Sequence, residues 1–154
     1  HASPLPYGRG GSPVQNMIIR NFKQTTLCCF KLEEKLDTGP IYFKKKISLL
    51  GKGEKIFSNI YNSIIKMILQ FQKKIPKSKK QIGNPTYFKR RKPKEGNLLN
   101  YNTINEVFNI IRMLDIKFLK YPNGFIENKR LIFKFKDAKL KKNKVEAKVE
   151  ILRK

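Results

Sequence analysis

The 154-residue sequence predicts an α/β fold: a loop, a helix, two strands and a long helix, followed by another helix and a β-hairpin. Residues 56–68 carry isoleucine, phenylalanine and tyrosine in pairs every four positions, which gives a helix one apolar face. Residues 131–136 and 145–151 alternate between apolar and polar, as antiparallel strands with one solvated face do. Two hydroxyl residues each precede Gln or Glu by three positions, a pattern that starts helices.

The first half of the chain begins with a loop. Residues 1–11 hold three glycines and two prolines, which predicts a structured loop. Ser12 precedes a proline and lies three residues before a glutamine, so we expect it to cap a short helix. The runs 25–32 and 41–49 predict two strands, the first interior and the second nearer a sheet edge, with a Gly-Pro turn at 35–40 between them.

The second half begins with the strongest helix signal, over 54–73. The lysine-rich, proline-broken stretch 73–94 predicts a loop that crosses the surface. Thr103 and Glu106 have the spacing of a capping box and start the next helix. The two strands of the terminal hairpin join through residues 141–144.

Positive charge dominates the composition. The formal net charge is +24, from 28 lysines and seven arginines against 11 acidic residues. Such an excess attracts nucleic acid phosphates, but proteins that read bases favour arginine, and lysine also suits any solvated surface. No signal peptide and no apolar stretch of about 20 residues is present, so we expect a soluble, cytoplasmic protein that does not enter a membrane.

The only two cysteines, Cys28 and Cys29, are adjacent within an apolar run. In a strand their side chains point to opposite faces, which disfavours a shared metal site or a bridge between them. We expect buried free thiols in a reducing compartment. With one histidine in the sequence, no metal site is expected.

Two residues have positions typical of catalytic groups: His1 in the glycine- and proline-rich loop and Asp37 in the turn between the strands. A histidine titrates near neutrality, and a carboxylate fixes its tautomer and raises its basicity. Each has a structural alternative. A terminal histidine is often a frayed residue or the remnant of a tag, and aspartate close to glycine often only shapes a turn.

The order and spacing of several segments resemble the signature of the methionyl-tRNA and sugar formyltransferases, which pass a formyl group from 10-formyltetrahydrofolate to an amine. That signature combines Asn-x-His-x-Ser-x-Leu-Pro, an Arg-Gly loop, a short helix that starts with proline, and Leu-Asp-x-Gly. The resemblance covers about residues 1–120. The matching segments are His1-Ala-Ser-Pro-Leu-Pro6, Arg9-Gly10, Pro13-Val-Gln15 and Leu36-Asp-Thr-Gly39, and Phe88-Lys-Arg-Arg-Lys-Pro-Lys-Glu-Gly96 resembles the Arg-Arg-x-Pro-Glu-Asp segment of the sugar branch.

The resemblance implies a fold and a site. Residues 1–100 become the C-terminal half of a Rossmann-like formyltransferase domain, and residues 101–154 a helix and β-hairpin extension. His1 and Asp37 become the catalytic residues. The other implied contacts are Leu36 and Gly39 for the folate cofactor 10-formyltetrahydrofolate, and Ser3, Tyr7, Arg9, Gly10, Arg90 and Arg91 for the substrate.

Within this family, the segments Tyr7–Pro13 and Arg90–Pro93 favour a nucleotide-linked amino sugar as the acceptor. Arg90 and Arg91 would then contact its phosphates, and a solvated basic loop is the alternative interpretation of both arginines. Methionyl-tRNA is the alternative acceptor, but only about 40 residues follow Leu114, fewer than a tRNA-binding barrel of normal size needs. A non-enzymatic, basic RNA-binding module that uses 73–94 and 136–144, or an inert gene remnant, are alternatives of another class.

The resemblance also implies an incomplete catalytic set. The family's asparagine two residues before the histidine has no counterpart in the sequence. Loss of one oxyanion donor costs about 100- to 1,000-fold in rate, so we expect little or no activity from these 154 residues alone.

Overall fold

The computed structural model describes residues 1–119 and 121–154, and the α/β architecture predicted from the sequence is confirmed. Short 3-10 turns occupy Pro93–Gly96, Leu98–Asn100 and Lys117–Leu119. Within the described residues, no helix is both long and apolar enough to cross a membrane. The main elements, in chain order, are β1 (Arg9–Gly10), α1 (Pro13–Ile19), β2 (Gln24–Phe30), β3 (Ile41–Ser48), α2 (Gly53–Lys73), β4 (Tyr87–Phe88), α3 (Ile104–Leu114), β5 (Gly124–Glu127), β6 (Leu131–Leu140) and β7 (Val145–Arg153).

The strands form three separate small sheets. β2 pairs antiparallel with β3, from Gln24 opposite Ser48 to Phe30 opposite Ile41. β1 pairs parallel with β4, and β5, β6 and β7 form an antiparallel sheet in chain order. The predicted hairpin is therefore part of a three-stranded sheet. Sequence reasoning missed β5 because its four residues, which begin at Gly124, are too few to show alternation.

The main hydrophobic core connects these sheets to the helices, and a smaller cluster of Leu5, Cys28 and Ile41 lies beside it. α2 packs against β3, and α3 packs against α1 and β6. The core takes residues from both sides of residue 100, and its most deeply buried members are Met17, Ile18, Leu49, Ile56, Ile110, Ile111 and Met113.

A buried arginine ties α3 to the end of β3. Arg112 Nη1 donates to the carbonyl oxygens of Leu49 and Gly51, both at 2.8 Å, and its Nε donates to Asn109 at 2.8 Å. Burial lowers the pKa of the Arg112 guanidinium. Its three oxygen partners satisfy the charge that burial would otherwise penalise.

The two predicted helix caps differ in outcome. Thr103 accepts from the backbone of Glu106, whose carboxylate accepts from the backbone of Thr103, so the predicted capping box is confirmed. The cap predicted at Ser12 is wrong. Ser12 has a left-handed backbone, with φ at 49°, and its hydroxyl accepts from the backbone of Arg91 instead of capping α1. A contact 79 residues away replaces the local one.

Candidate active site

His1 is fixed to the sheet by its backbone. Its nitrogen donates to the Cys28 carbonyl at 2.9 Å, and its carbonyl accepts from the Cys28 nitrogen at 2.8 Å. Its ring lies edge-on to Phe30, with the centroids 6.4 Å apart, and its side chain is only 10 % exposed. His1 is thus not a frayed residue in this fold.

Both nitrogens of the His1 ring face oxygen atoms. Nε2 lies 2.8 Å from the Gly8 carbonyl oxygen, and Nδ1 lies 3.4 Å from Oδ2 of Asp37. A ring protonated on both nitrogens can donate to each of these oxygens. The turn and the loop that sequence reasoning singled out are therefore brought together around one imidazole.

Asp37 is held in an uncommon backbone conformation, with φ at 55°. Its Oδ2 accepts from the Gly10 nitrogen at 2.8 Å, so one carboxylate oxygen faces both the loop amide and the His1 ring. Gly39 permits this turn to lie against the preceding strand, since a Cβ there would be 1.8 Å from the Lys31 carbonyl oxygen. A glycine is needed at this position because the neighbouring backbone leaves no space for a side chain.

Residues 81–88 hold both the loop at residues 1–11 and the turn at residues 35–40 in place. Thr86 Oγ1 accepts from the Gly8 nitrogen at 2.8 Å, and Gln81 Nε2 donates to the carbonyls of Asp37 and Gly39 at 2.8 and 2.9 Å. Sequence reasoning placed these residues in a surface loop and missed both. Their partners lie 42 to 78 residues away, and no periodicity or motif spacing marks such contacts.

The remaining loop residues predicted to contact substrate have different surroundings. Ser3 is fully buried, and its hydroxyl donates to the Gly8 carbonyl at 3.0 Å. Tyr7 stacks on Phe22 and lies edge-on to Phe88. Ser3 and Tyr7 therefore shape the loop through contacts of their own.

Leu36, the predicted folate contact next to Asp37, is 62 % exposed. Its apolar side chain stands beside the carboxylate that faces His1 and is open to a ligand.

The predicted arginine contacts fall into two places. Arg9 reaches the turn: its Nη2 donates to Gln81 at 2.8 Å and its Nη1 to the Tyr87 hydroxyl at 3.3 Å. Arg91 donates to the Tyr101 hydroxyl at 2.6 Å and to the Glu95 carbonyl at 3.3 Å, so its guanidinium binds the turn that follows β4. Arg90 is exposed. Of these three arginines, Arg9 is the one linked to the His1–Asp37 site, and the link runs through Gln81.

An apolar cleft of about 410 Å³ opens next to His1, between the β2–β3 pair and α2. The lining of the cleft includes Leu27, Phe30, Tyr42, Ile64, Ile68 and Phe71.

Cys28 and Cys29 are both free, and burial raises the pKa of the Cys28 thiol, which donates to the Ser3 carbonyl. A neutral, hydrogen-bonded thiol is a poor nucleophile. Of the described residues, no group of three or more His, Cys, Asp or Glu is arranged to hold a metal ion.

The C-terminal segment carries part of the protein's positive charge. Residues 121–154 contain 11 basic and four acidic residues. The carboxylates are paired, for example Glu150 with Lys136 at 2.7 Å and Asp137 with Lys148 at 3.0 Å. Exposed pairs of this kind contribute little stability, and the remaining lysines leave the sheet strongly cationic.

Comparison with known proteins gives consistent matches. The family model described as the C-terminal domain of methionyl-tRNA formyltransferase matches residues 93–152. The methionyl-tRNA formyltransferase of Thermodesulfovibrio yellowstonii is 34% identical over 118 residues, which are 73% of this chain and 38% of that protein. The chain thus spans about two fifths of the length of such curated relatives.

Solved structures agree with these matches. The methionyl-tRNA formyltransferase from Clostridium thermocellum superposes with a TM-score of 0.92 at 37% identity, covering 100% of this chain and 67% of that one. An N-formyltransferase from Helicobacter canadensis, in complex with folinic acid and dTDP-3-aminofucose, has a TM-score of 0.58 at 18% identity over 86% of this chain and 59% of its own. At that identity the second likeness concerns the fold alone.

Proposed function

This chain belongs to the formyltransferase family that includes the methionyl-tRNA formyltransferases, and from that premise we propose that His1 and Asp37 serve formyl transfer from 10-formyltetrahydrofolate to an amine. The observation that carries the proposal is the His1 ring, held between the Asp37 carboxylate and the Gly8 carbonyl. His1 is the single histidine of the sequence, and only 13 % of the Asp37 side chain that faces it is exposed.

The reaction requires that the acceptor amine lose a proton as it attacks the formyl carbon. His1 takes up that proton, and the Asp37 carboxylate stabilises the resulting imidazolium. The bond between the formyl carbon and N10 of the donor then breaks, and the imidazolium returns the proton to N10 as tetrahydrofolate leaves. Proton uptake at Nε2 requires the contact between Nε2 and the Gly8 carbonyl to open when substrate enters. The Gly10 amide keeps the Asp37 carboxylate oriented during this step.

10-Formyltetrahydrofolate carries its formyl group on N10, the nitrogen that links the reduced pterin to an aromatic benzoyl ring. Two features of the chain fit such a molecule: the exposed Leu36 beside Asp37 and the apolar cleft that borders His1. Leu36 and Gly39 would hold the folate at the turn, where Gly39 leaves the backbone free of a side chain. The roles of both residues remain those implied by the family motif.

For the acceptor we favour methionyl-tRNA over the nucleotide-linked sugar that the arginines suggested. The relatives from Thermodesulfovibrio yellowstonii and Clostridium thermocellum, at 34% and 37% identity, are methionyl-tRNA formyltransferases. Residues 93–152 also match the C-terminal domain of that family, so the short tail is no argument against a tRNA acceptor. The cationic sheet β5–β7 offers lysines for phosphates, and Arg91 is engaged by Tyr101 and Glu95.

The test is a chimera in which the part of the Clostridium thermocellum enzyme outside the matched region precedes residues 1–154. Transfer of labelled formyl is measured with methionyl-tRNA and with a dTDP-amino sugar, each at equal donor concentration. We expect formyl-methionyl-tRNA as the product, and little transfer by the 154-residue chain alone. Preference for the sugar would overturn the acceptor but keep the chemistry.

An RNA-binding role without catalysis predicts a different outcome. It requires affinity of the 154-residue chain for unrelated RNA that persists at high salt, and no formyl transfer by the chimera. Binding through charge alone weakens steeply as salt rises, because each phosphate contact releases counterions. Salt titration of RNA binding therefore separates the two roles.

A further inference from the structure

Gln81 links the two segments that form the site, although it lies outside the segments on which the family resemblance rests. Its Nε2 donates to the carbonyls of Asp37 and Gly39 at 2.8 and 2.9 Å, and its Oε1 accepts from Arg9 Nη2 at 2.8 Å. The two carbonyls belong to the turn that bears the candidate catalytic carboxylate. Arg9 precedes Gly10, whose amide donates to that same carboxylate.

We propose that Gln81 is the positioning residue of the site: it clamps the Asp37 turn to the Arg9–Gly10 loop and thereby sets the distance between the Asp37 carboxylate and the His1 ring. Its catalytic meaning rests on the function proposed above. The clamp itself is a structural claim and is tested without turnover.

The backbone conformation of Asp37 explains why this turn needs to be held in place. A non-glycine residue with φ at 55° persists only where the surrounding structure imposes it. Of the side-chain contacts to this turn, those of Gln81 hold both ends, at Asp37 and Gly39. Without them the turn can relax toward ordinary backbone angles, which moves the carboxylate away from His1 Nδ1.

Both polar atoms of the Gln81 side chain are matched, through three hydrogen bonds. One amide side chain supplies two donor hydrogens and one acceptor, and here each has a partner of the right kind. Glutamate in its place keeps the acceptor for Arg9 but turns an oxygen toward the two carbonyls. Gln81→Glu therefore separates the hold on the turn from the hold on Arg9, at nearly constant size.

The direct test is NMR on the 154-residue chain at pH 7, where the single histidine gives an unambiguous ring signal. Two quantities are recorded: the ¹⁵N shift of His1 Nδ1, which reports its carboxylate neighbour, and the hydrogen exchange rate of the Gly10 amide. The other titratable groups near the ring are the amino group of His1, whose pKa is lowered by burial, and the thiols of Cys28 and Cys29; measurement at one pH keeps their states constant.

We expect Gln81→Ala and Gln81→Glu to move the Nδ1 signal in the same direction as Asp37→Asn and to speed Gly10 exchange at least about tenfold. The double variant Gln81→Ala, Asp37→Asn should shift the Nδ1 signal no further than Asp37→Asn alone, because Gln81 affects the His1 ring through Asp37. Gln70→Ala, an exposed glutamine on α2, is the matched control and changes neither quantity.

The proposal is overturned if the Gln81 variants keep the parental Nδ1 signal and Gly10 exchange, or if the double variant shows the sum of the single shifts. Unchanged amide signals from β5–β7 verify that each variant is folded. If Gln81→Ala does not fold, Gln81→Glu decides the matter, because it fills the same space.

Formyl transfer by the chimera then tests the catalytic meaning. We expect Gln81→Glu to lower kcat about 100-fold with little change in the KM for donor, as a misplacement near 1 Å does. A parental chimera that transfers no formyl refutes the proposed function but leaves the NMR result for the clamp intact.

Discussion

The region around His1 and the C-terminal sheet are held together in different ways. Around His1, contacts join side chains to backbone groups far away in sequence, such as Gly8 to Thr86 and Asp37 to Gln81. In the sheet β5–β7, contacts join strands that follow one another, and exposed lysines pair with carboxylates. The first arrangement fixes two side chains at one separation, whereas the second presents charge and tolerates movement.

This difference fits the two tasks proposed above for these regions. A reacting centre loses rate when its groups shift by about 1 Å, so it needs many fixed contacts. A surface that binds phosphates acts through charge, and one lysine can replace another. Substitutions in the first region should therefore have large, position-specific effects, and substitutions in the second region small, additive ones.

The largest expected effect is on catalysis. Asp37→Asn in the chimera removes the charge that stabilises the His1 imidazolium, yet asparagine tolerates the left-handed backbone of this position. We expect kcat to fall about 10²- to 10⁴-fold, as for loss of a group in acid–base catalysis. Glu34→Gln, which removes an exposed carboxylate from the same loop, is the control and should retain parental kcat. Parental kcat in Asp37→Asn would contradict the assignment.

The next effect is on folding of the turn. In Gly39→Ala the new Cβ would lie 1.8 Å from a backbone oxygen, so the turn must move. We expect a loss of at least about 3 kcal/mol in the free energy of unfolding, measured by urea denaturation. Gly51→Ala is the comparison: it has φ at 85° but open space, and we expect about 1 kcal/mol from the backbone alone. Equal losses would show that Gly39 has no special contact.

How far sequence reasoning reaches depends on whether a signal is local. His1 and Asp37 were predicted as site residues because motif spacing marks them, and in the structure His1 Nδ1 lies 3.4 Å from Asp37 Oδ2. The helix α2 and the Thr103 cap were predicted because periodicity and capping depend on neighbours. Gln81, Thr86 and the role of Ser12 were not, because each bonds to a partner more than 40 residues away.

A smaller effect is expected at the start of α3, which lies between the two regions. Thr103→Ala removes the oxygen that accepts from the Glu106 backbone. We expect about 1 kcal/mol of lost stability in urea denaturation, since this is the usual value of such a cap. Thr103→Ser keeps the oxygen and should stay close to the parent. A loss in the serine variant equal to that in the alanine variant would assign the effect to the methyl group.

The smallest effect concerns acid stability of the C-terminal sheet. Hydrogen bonds from Lys52 and Lys148 lower the pKa of Asp137 from 3.8 to about 2. Its stabilising contribution is therefore present above pH 4 and lost as pH falls from about 4 to about 2. Asp137→Asn, which also tolerates the left-handed backbone, should flatten the fall of Tm in that window. An unchanged acid profile would show that these exposed pairs contribute nothing measurable.

The most direct test of the central claim is chemical rescue of the catalytic histidine. In the chimera, His1→Ala removes the ring that we propose accepts the amine proton, and added imidazole can enter the space that the ring leaves. The account predicts that formyl transfer to methionyl-tRNA is lost and is restored in part by imidazole, with saturation. Parental transfer by His1→Ala without imidazole would contradict it.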